Sequence, residues 1–233
     1  MSPSALAIRR ITLDVKKVME SPADAGLFWI HDDDRVNHGW AIVCGCEDTP
    51  YYGGIFCFEV TFPDNYPFEP PLFNYLTNDG RTRFNPNLYK NGKVCLSLLN
   101  TWQGEPWSGV QSLLSVLQAI QSAVINQNPL ENEPAHPASK DSTHPDMEIY
   151  NRMVFQATME TAILAQLREP PAYLVPVYDA VKAWTLKALP ALIAKSRKLA
   201  ETYDVKVEYI NFYSMTVKYR FGDIADRLVA LTQ

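Results

Sequence analysis

Three runs of β-branched and aromatic residues follow one another in the first third of the chain, and this pattern limits the possible folds more than any other feature. The runs cover residues 28–30, 40–43 and 54–62, and acidic, Gly and Pro clusters separate them. Such runs predict strands, and connections this short join antiparallel neighbours. A fourth run at residues 72–75 predicts one more strand. We therefore expect a four-stranded antiparallel meander.

Helical patterns flank the predicted sheet. Ser4 is a suitable N-cap for a first helix that ends near Met19. Its apolar residues should form one stripe against the core: Leu6, Ile8, Ile11, Val15 and Val18. Further helices are predicted in four places, at residues 110–125, 146–167, 175–202 and 223–231. We expect the third of these to be kinked or broken at Pro190.

The order of these elements predicts an α+β fold, in which a helix, a meander of strands and a long irregular segment are followed by helices. Residues 1–150 are expected to form one unit, and residues 151–233 a mostly helical extension packed on it. Residues 205–220 could form either a strand pair or a loop, and the pattern does not separate these alternatives.

Composition restricts the partners and the compartment. The net charge of -5 argues against nucleic acid or an anionic membrane as the main partner, because both attract a cationic surface. No apolar run approaches the ~18 residues that span a bilayer, and the first residues lack the apolar stretch of a secretion signal. The four cysteines form no C-x-x-C pair, so we expect free thiols in the reducing cytoplasm or nucleus.

Residues 76–108 fit neither a strand nor a helix pattern and are rich in Asn, Gly, Pro and Ser. A loop this long inside a compact domain is uncommon and is often functional. It contains an Asn-Pro-Asn sequence that ends at Asn87, and Cys95 lies eight residues further on. Taken alone, a Cys in an apolar run is more often a buried core thiol, and Asn-Pro-Asn is more often a turn.

Four segments, taken in order, resemble the ubiquitin-conjugating enzyme family. The first reads D-T-P-Y-Y-G-G-I-F from Asp48, and the second reads Y-P-F-E-P-P from Tyr66. The third is the Asn-Pro-Asn segment with Cys95 eight residues after its last Asn, and the fourth is a Trp-Ser pair at Trp107 before a helix. The resemblance covers about residues 4–137 and implies the UBC-like fold of that family, with the four-stranded meander, a long active-site loop and helices.

Two departures from the family's common pattern resemble its large Z-type branch. Asn85 stands where most members have His, and Trp107 lies twelve residues after Cys95, more than in common members. The additional residues fall within 100–106, and the helical extension is a further similarity. The resemblance implies that ubiquitin comes from an alternative, dual-specificity activating enzyme. That branch can also carry a two-domain ubiquitin-like modifier.

The resemblance also implies roles for site residues. Cys95 would carry the modifier as a thioester, and Asn87 would either stabilise the oxyanion of the discharge step or hold the loop beneath Cys95. Asn128 is the best match for the residue that orients the attacking lysine, and Glu131, three residues on, is the alternative. This chemistry requires no cofactor.

Surface residues are expected to bind partners, which the resemblance implies are ubiquitin or a ubiquitin-like protein, an activating enzyme and a ubiquitin ligase. Phe68, on a Pro-rich loop, and the loop around Trp107 would contact the ligase. Arg9, Arg10 and Lys16 would meet an acidic surface of the activating enzyme. The alternatives are an aromatic that only packs on its own loop and a solvated helix face.

Other functions remain open at this point. A catalytically inactive ubiquitin-binding variant would generally lack the Cys, which this chain keeps. A thiol hydrolase would need a base beside Cys95, for which His136 and His144 are candidates. Cys44 and Cys46 would share one face of a strand, but a zinc site needs further ligands, so we expect no metal.

Overall fold

The first helix begins at the cap that the sequence supplies. In the computed structural model, which describes residues 3–232, Ser4 Oγ accepts a hydrogen bond from the Ala7 N–H at 3.1 Å. Helix α1 (Ala5–Met19) follows, as predicted. The predicted apolar stripe is wrong at Leu6 and Ile8, which are exposed because Ala7 takes the buried position between them. The side that faces the core carries Ala7, Ile11, Val15 and Val18.

The predicted meander is confirmed. Strands β1 (Leu27–His31), β2 (His38–Cys44), β3 (Ile55–Thr61) and β4 (Leu72–Tyr75) form one sheet in that order, and every neighbouring pair is antiparallel. The fold is α+β, as expected. Both faces of the sheet are covered, because residues 41–44 are all buried although successive side chains of a strand point to opposite faces.

The C-terminal part of the chain covers one of these faces. The 3₁₀-helical segment Ala172–Val177 contacts β1, and the Tyr173 ring stacks on Trp40 of β2 at 5.5 Å between ring centroids. Further along, the Thr185 hydroxyl donates a buried hydrogen bond to the Gly53 carbonyl at 2.8 Å. These contacts hold the C-terminal part against the sheet.

Helix α2 (Leu113–Ala119) begins three residues later than predicted. Ser112 caps it, because its hydroxyl accepts the Ser115 N–H and the Ser115 hydroxyl accepts the Ser112 N–H. Val110 lies outside the helix and is 91% exposed. The helix then widens into a π-helical turn (Ile120–Val124) that ends beside the loop that carries Asn85.

The predicted helix over residues 146–167 is built from three consecutive segments. These are α3 (Pro145–Ala157), a π-helical stretch (Thr158–Ala165) and the short α4 (Gln166–Arg168). The predicted boundary between residues 150 and 151 lies within α3, and the division into two units stays a prediction. Residues 1, 2 and 233 of that division lie outside the described residues.

Helix α5 (Tyr178–Tyr203) runs through Pro190 without a break, so of the two expected alternatives the break is wrong and the kink stays a prediction. Proline removes one backbone donor from a helix. Leu189 and Leu192, on either side of it, are buried, and their packing holds the helix together. Across residues 3–232, no helix has both the length and the apolar character that crossing a membrane requires.

The structure decides between the two alternatives for residues 205–220. Strands β5 (Val207–Ile210) and β6 (Met215–Lys218) pair as an antiparallel hairpin, and α6 (Phe221–Val229) follows. The hairpin is attached to α3, because the Arg152 guanidinium donates to the Glu208 carboxylate at 2.8 and 3.2 Å.

Candidate active site

Cys95 is held by Asn87 through a reciprocal pair of hydrogen bonds. The Cys95 N–H donates to the Asn87 carbonyl at 2.8 Å, and Asn87 Nδ2 donates to the Cys95 carbonyl at 2.7 Å. Cys95 itself is only 1% exposed. The structure therefore brings together the two residues that the sequence predicts as nucleophile and amide donor. In this arrangement the Asn87 amide fits the loop-holding alternative.

Asn85, in the place of the more usual His, uses both ends of its buried amide. Its Nδ2 donates to the Val124 carbonyl at 2.6 Å and to the Tyr51 hydroxyl at 3.3 Å. Its Oδ1 accepts the Asn87 N–H at 2.8 Å. Val124 ends the π-helical turn, where carbonyls run out of partners within the helix, and Asn85 supplies one. Asn85 thus links the helix after the active site to the loop beneath Cys95.

Tyr51, whose role the sequence pattern did not indicate, binds the Asn85 amide through its hydroxyl. Its hydroxyl donates to the Phe84 carbonyl at 2.6 Å and accepts from Asn85 Nδ2. Burial raises the pKa of the Tyr51 phenol well above its ordinary value, so the hydroxyl keeps the proton that it donates. Its position in the segment that begins at Asp48 is the signal that could have identified it.

The insertion at residues 100–106 also reaches the nucleophile. Thr101 Oγ1 donates to the Val94 carbonyl at 2.7 Å and accepts the Leu96 N–H at 2.9 Å, on either side of Cys95. The Thr101 N–H donates to the Leu96 carbonyl at 3.2 Å. The sequence indicates that these residues lie beside the active site, but no motif singles out Thr101. The insertion is therefore anchored on the backbone that carries Cys95.

The two candidates for orienting the attacking lysine are bonded to each other. Asn128 precedes a 3₁₀-helical turn (Pro129–Asn132), and its Nδ2 donates to Glu131 Oε1 at 3.0 Å. Asn128 is half-buried and Glu131 is exposed, and the bond between them lies at the surface. The alternatives left open by the sequence thus belong to one hydrogen-bonded pair, and the role of each residue stays a prediction.

A comparison with known protein families identifies the family in which this site belongs. The family model described as ubiquitin-conjugating enzyme matches residues 10–158, which is more than half of the chain and includes Cys95. The chain belongs to the ubiquitin-conjugating enzyme family. All four motif segments lie within the match, so the family resemblance that they predict is confirmed.

Several relatives are named ubiquitin-conjugating enzyme E2 Z, which confirms the predicted similarity to the Z-type branch. The one from Xenopus tropicalis is 35% identical over 215 residues, 92% of this chain and 61% of the relative. The one from Danio rerio is 40% identical over 166 residues, 70% of this chain and 49% of the relative. The dual E2 ubiquitin-conjugating enzyme/E3 ubiquitin-protein ligase BIRC6 of Homo sapiens is 40% identical over 173 residues, 71% of this chain and 4% of the relative. The chain thus spans less than two thirds of each.

In this ubiquitin-conjugating enzyme family member, the two predicted ligase-binding aromatics differ in exposure. Phe68 is 73% exposed, whereas Trp107 is 7% exposed and its Nε1 donates to the Pro67 carbonyl at 2.8 Å. Trp107 therefore packs under the loop that displays Phe68. Phe68 is accessible to a partner, and the binding roles of both residues stay predictions.

The three cations of α1 that are predicted to bind the activating enzyme also differ in exposure. Arg9 and Lys16 are exposed on the helix surface. Arg10 binds within the molecule, because its Nη1 donates to the Gly109 carbonyl at 2.8 Å and its Nε donates to the Asp14 carboxylate at 2.9 Å. Arg10 thus ties α1 to the loop before α2, while Arg9 is exposed and Lys16, also exposed, forms an ion pair with Glu20 at 3.5 Å.

The two histidines considered as bases form a separate cluster. His136 Nδ1 accepts the Ala138 N–H at 3.1 Å, and His144 Nδ1 accepts the Asp146 N–H at 3.2 Å. These bonds leave the proton of each neutral ring on Nε2, so neither ring offers a free lone pair to a thiol or a metal. Among residues 3–232, no hydrogen bond joins a histidine to Cys95. This geometry argues against the thiol-hydrolase alternative.

Cys44 and Cys46 are separated by the end of a strand. Strand β2 ends at Cys44, so the expectation that the two thiols share a strand face is wrong. Burial raises the pKa of Cys44 well above its ordinary value and also raises that of Cys46. Zinc binds thiolates, so raised pKa values work against a zinc site at this pair.

Proposed function

We propose that this chain carries ubiquitin, or a ubiquitin-like protein, as a thioester on Cys95 and transfers it to a lysine amine. The observation that carries the proposal is the reciprocal pair of hydrogen bonds between Asn87 and Cys95, within the region that matches the family. In charging, the Cys95 sulfur attacks the thioester carbonyl on the activating enzyme, a new C–S bond forms, and the activating enzyme's thiolate leaves. One thioester replaces another, so no cofactor is required in this chain.

Discharge is the harder step. A lysine amine attacks the thioester carbonyl, an amide bond forms, and the Cys95 thiolate leaves. Negative charge builds on the carbonyl oxygen, and a well-placed amide donor stabilises it by ~3–4 kcal/mol. Asn87 Nδ2 would have to leave the Cys95 carbonyl, 2.7 Å away, to act in this way; otherwise it acts by holding the segment. Both actions predict slower discharge when the amide is removed.

The attacking lysine must also lose a proton. We infer that Asn128 and Glu131 act as a unit at this point, because the Asn128 amide bonds to the Glu131 carboxylate at 3.0 Å. The carboxylate has the charge to attract the ammonium group and to accept its proton, whereas the amide has none. Asn128 would then orient the carboxylate.

The proposed activity requires an activating enzyme, ubiquitin or a ubiquitin-like protein, and a ubiquitin ligase. Phe68 offers an exposed aromatic anchor to a ligase, and Arg9 and Lys16 offer exposed cations to an activating enzyme. Arg10 contributes less, since its guanidinium is bound within the molecule. The net charge of -5 favours these protein partners over nucleic acid or an anionic membrane. Free cysteines favour the cytoplasm or nucleus.

A catalytically inactive ubiquitin-binding variant is the second candidate. The observation that favours it is the burial of Cys95, which is 1% exposed. Against it, the chain keeps the contact between Asn87 and Cys95, and the relatives described above are named as conjugating enzymes. An inactive variant has no need of either residue.

A charging assay tests the proposal. The protein is incubated with ATP, ubiquitin and each of the available ubiquitin-activating enzymes, then run on a non-reducing gel beside Cys95→Ala and Cys95→Ser. We expect a band shifted by one ubiquitin that reductant reverses, no band with Cys95→Ala, and a reductant-resistant oxyester with Cys95→Ser. If neither ubiquitin nor a ubiquitin-like protein charges the wild-type chain with any activating enzyme, the inactive variant becomes the better explanation.

Asn87→Ala separates the two steps of the reaction. We expect it to charge but to lose about 10²-fold or more in discharge to free lysine, the loss typical of a removed oxyanion donor. Single-turnover decay of the purified thioester measures this. Discharge at the wild-type rate would contradict both roles proposed for Asn87.

A further inference from the structure

The two peptide units that flank the Cys95 Cα are bound on both sides. The Val94 carbonyl and the Leu96 N–H bind the Thr101 hydroxyl, at 2.7 and 2.9 Å. The Cys95 N–H and carbonyl bind Asn87, at 2.8 and 2.7 Å. Each peptide unit is therefore held at one end by Asn87 and at the other by Thr101. Asn87 belongs to the family motif, whereas Thr101 belongs to the insertion.

Fixing both peptide planes fixes the two backbone dihedrals of the residue between them. The direction of the Cα–Cβ bond of Cys95, and with it the range of positions open to the sulfur, then follows from these four bonds. We propose that Thr101 is a positioning residue, whose hydroxyl orients the Cys95 thioester for attack by lysine. This inference rests on the proposed function and deepens it, because it gives the 100–106 insertion a part in the transfer step.

The position of Thr101 makes a mainly structural role the weaker explanation. Thr101 is exposed and lies outside the hydrophobic core. The insertion keeps a backbone attachment without the hydroxyl, since the Thr101 N–H donates to the Leu96 carbonyl at 3.2 Å, and its two ends are joined by the bond from the Trp107 N–H to Asn100 Oδ1 at 2.8 Å. Removal of the Thr101 hydroxyl should therefore leave the fold and the course of the insertion in place. What it releases is the Val94 carbonyl and the Leu96 N–H, the two groups that Asn87 does not reach.

Discharge to free lysine is the step that should report this role most directly. Free lysine is a small nucleophile that brings no protein surface to align the thioester, so the rate depends on how well the enzyme presents the carbonyl. In charging, by contrast, the activating enzyme is bound and contributes its own alignment. We therefore expect Thr101 to matter more for discharge than for charging.

Thr101→Ser and Thr101→Ala form the matched pair for the experiment. Both lose the methyl group, and they differ only in the hydroxyl. Purified thioester of each variant is mixed with free lysine, and single-turnover decay is followed over a range of lysine concentrations. We expect Thr101→Ser to stay within about twofold of wild type and Thr101→Ala to discharge about tenfold more slowly, the effect of losing one to two hydrogen bonds. The loss should lie in the maximal rate and not in the half-saturating lysine concentration, because Thr101 does not contact the lysine.

Two further measurements separate positioning from loss of structure. Thr101→Ser and Thr101→Ala should each unfold in a single cooperative thermal transition above the temperature of the assay, and both variants should reach the wild-type charging yield. Asn87→Ala combined with Thr101→Ala should discharge faster than the product of the two single effects predicts, because both residues hold the same peptide units.

The outcomes are distinguishable from a failure of the proposed function. If the wild-type chain does not charge, the proposed function fails and the inference fails with it. If the wild type charges and Thr101→Ala discharges within twofold of it, or Thr101→Ser is as slow as Thr101→Ala, the inference alone is overturned. If the loss of discharge rate in the combined Asn87→Ala and Thr101→Ala variant equals the product of the two single losses, the two residues act independently, which also contradicts the proposal.

Discussion

Two neighbouring loop segments, residues 85–96 and 100–106, both contain Asn residues and use them differently. In the first segment, Asn85 and Asn87 are buried, and their amides donate to the carbonyls of Val124 and Cys95. In the second segment every residue is exposed. Asn100 adopts a left-handed backbone conformation there, with φ 54°, and its side chain only closes the local loop.

The difference shows that an Asn of a turn constrains the loop conformation when its amide is buried and does so much less when it is exposed. A buried amide group left without a partner costs ~1–3 kcal/mol, so burial favours the loop conformation in which the Asn85 amide binds at both ends and Asn87 Nδ2 reaches the Cys95 carbonyl. Among the described residues, the buried Asn87 Oδ1 has no hydrogen-bond partner. At an exposed position water replaces a lost partner at little cost. The first segment is therefore specified closely, whereas the second depends on a few anchors, of which Thr101 is one.

The largest effect should come from Asn85→Ala. The change removes both ends of a buried amide and leaves the Val124 carbonyl and the Asn87 N–H without that partner, so we expect a loss of about 3 kcal/mol in the free energy of unfolding. Asn91→Ala, the same change at an exposed Asn of the same loop, should cost under ~1 kcal/mol. Urea unfolding measures both. Equal losses in the free energy of unfolding for the two changes would contradict the argument that burial makes the Asn85 amide more important than an exposed one.

Tyr51→Phe should have a smaller effect of about 1–2 kcal/mol. It removes the donor to the Phe84 carbonyl and the second acceptor of Asn85, but Asn85 keeps its bond to Val124. Thermal or urea unfolding again gives the measurement. A loss as large as that of Asn85→Ala would mean that the hydroxyl, and not the amide, organises the first segment.

Gly104→Ala tests how closely the backbone of the second segment is specified. Gly104 has φ +129°, a conformation that other residues rarely adopt, and an added Cβ would lie 3.1 Å from the Ser97 Cβ. We expect a loss of about 1 kcal/mol, limited because an exposed loop can relax. A larger loss, measured by urea unfolding, would place this segment among the closely specified parts of the molecule.

Gln103→Ala should have the smallest effect, within about 0.5 kcal/mol of wild type, because the side chain is exposed and away from the core. Its discharge rate should also stay near wild type, which makes it a control for the Thr101 variants. A marked loss of discharge in Gln103→Ala would show that the whole insertion, and not the Thr101 hydroxyl, acts on the thioester.

Much of the fold could be predicted, because local patterns decided it. The four strands follow from runs of β-branched and aromatic residues, and α1 begins at the Ser4 cap that its sequence indicates. The errors lie where packing overrides pattern. Pro190 does not break its helix, since buried leucines on both sides hold it, and Leu6 faces solvent although it fits the apolar stripe.

The main residues of the candidate site could be predicted from the sequence, but the hydrogen bonds that join them to the rest of the molecule could not. The spacing of Asn87 and Cys95 identifies the pair from the sequence, and the structure places them in contact. Tyr51 lies in a motif segment that does not reveal its role, and Thr101 lies in no motif, because the role of each depends on which carbonyls and N–H groups come within 3 Å of its hydroxyl. Such distances arise from the folded chain and leave no trace in local spacing.

The sequence by itself determined the family, the α+β order of elements and the cysteine that the proposed reaction uses, since each of these depends on residue types at short spacing. Only the tertiary structure decided that Asn85 caps the helix end at Val124, that Arg10 is bound within the molecule and that the insertion is anchored beside Cys95. Hydrogen bonds between distant segments form only when the packing of the core brings their donors and acceptors within reach, and that packing is a property of the whole chain.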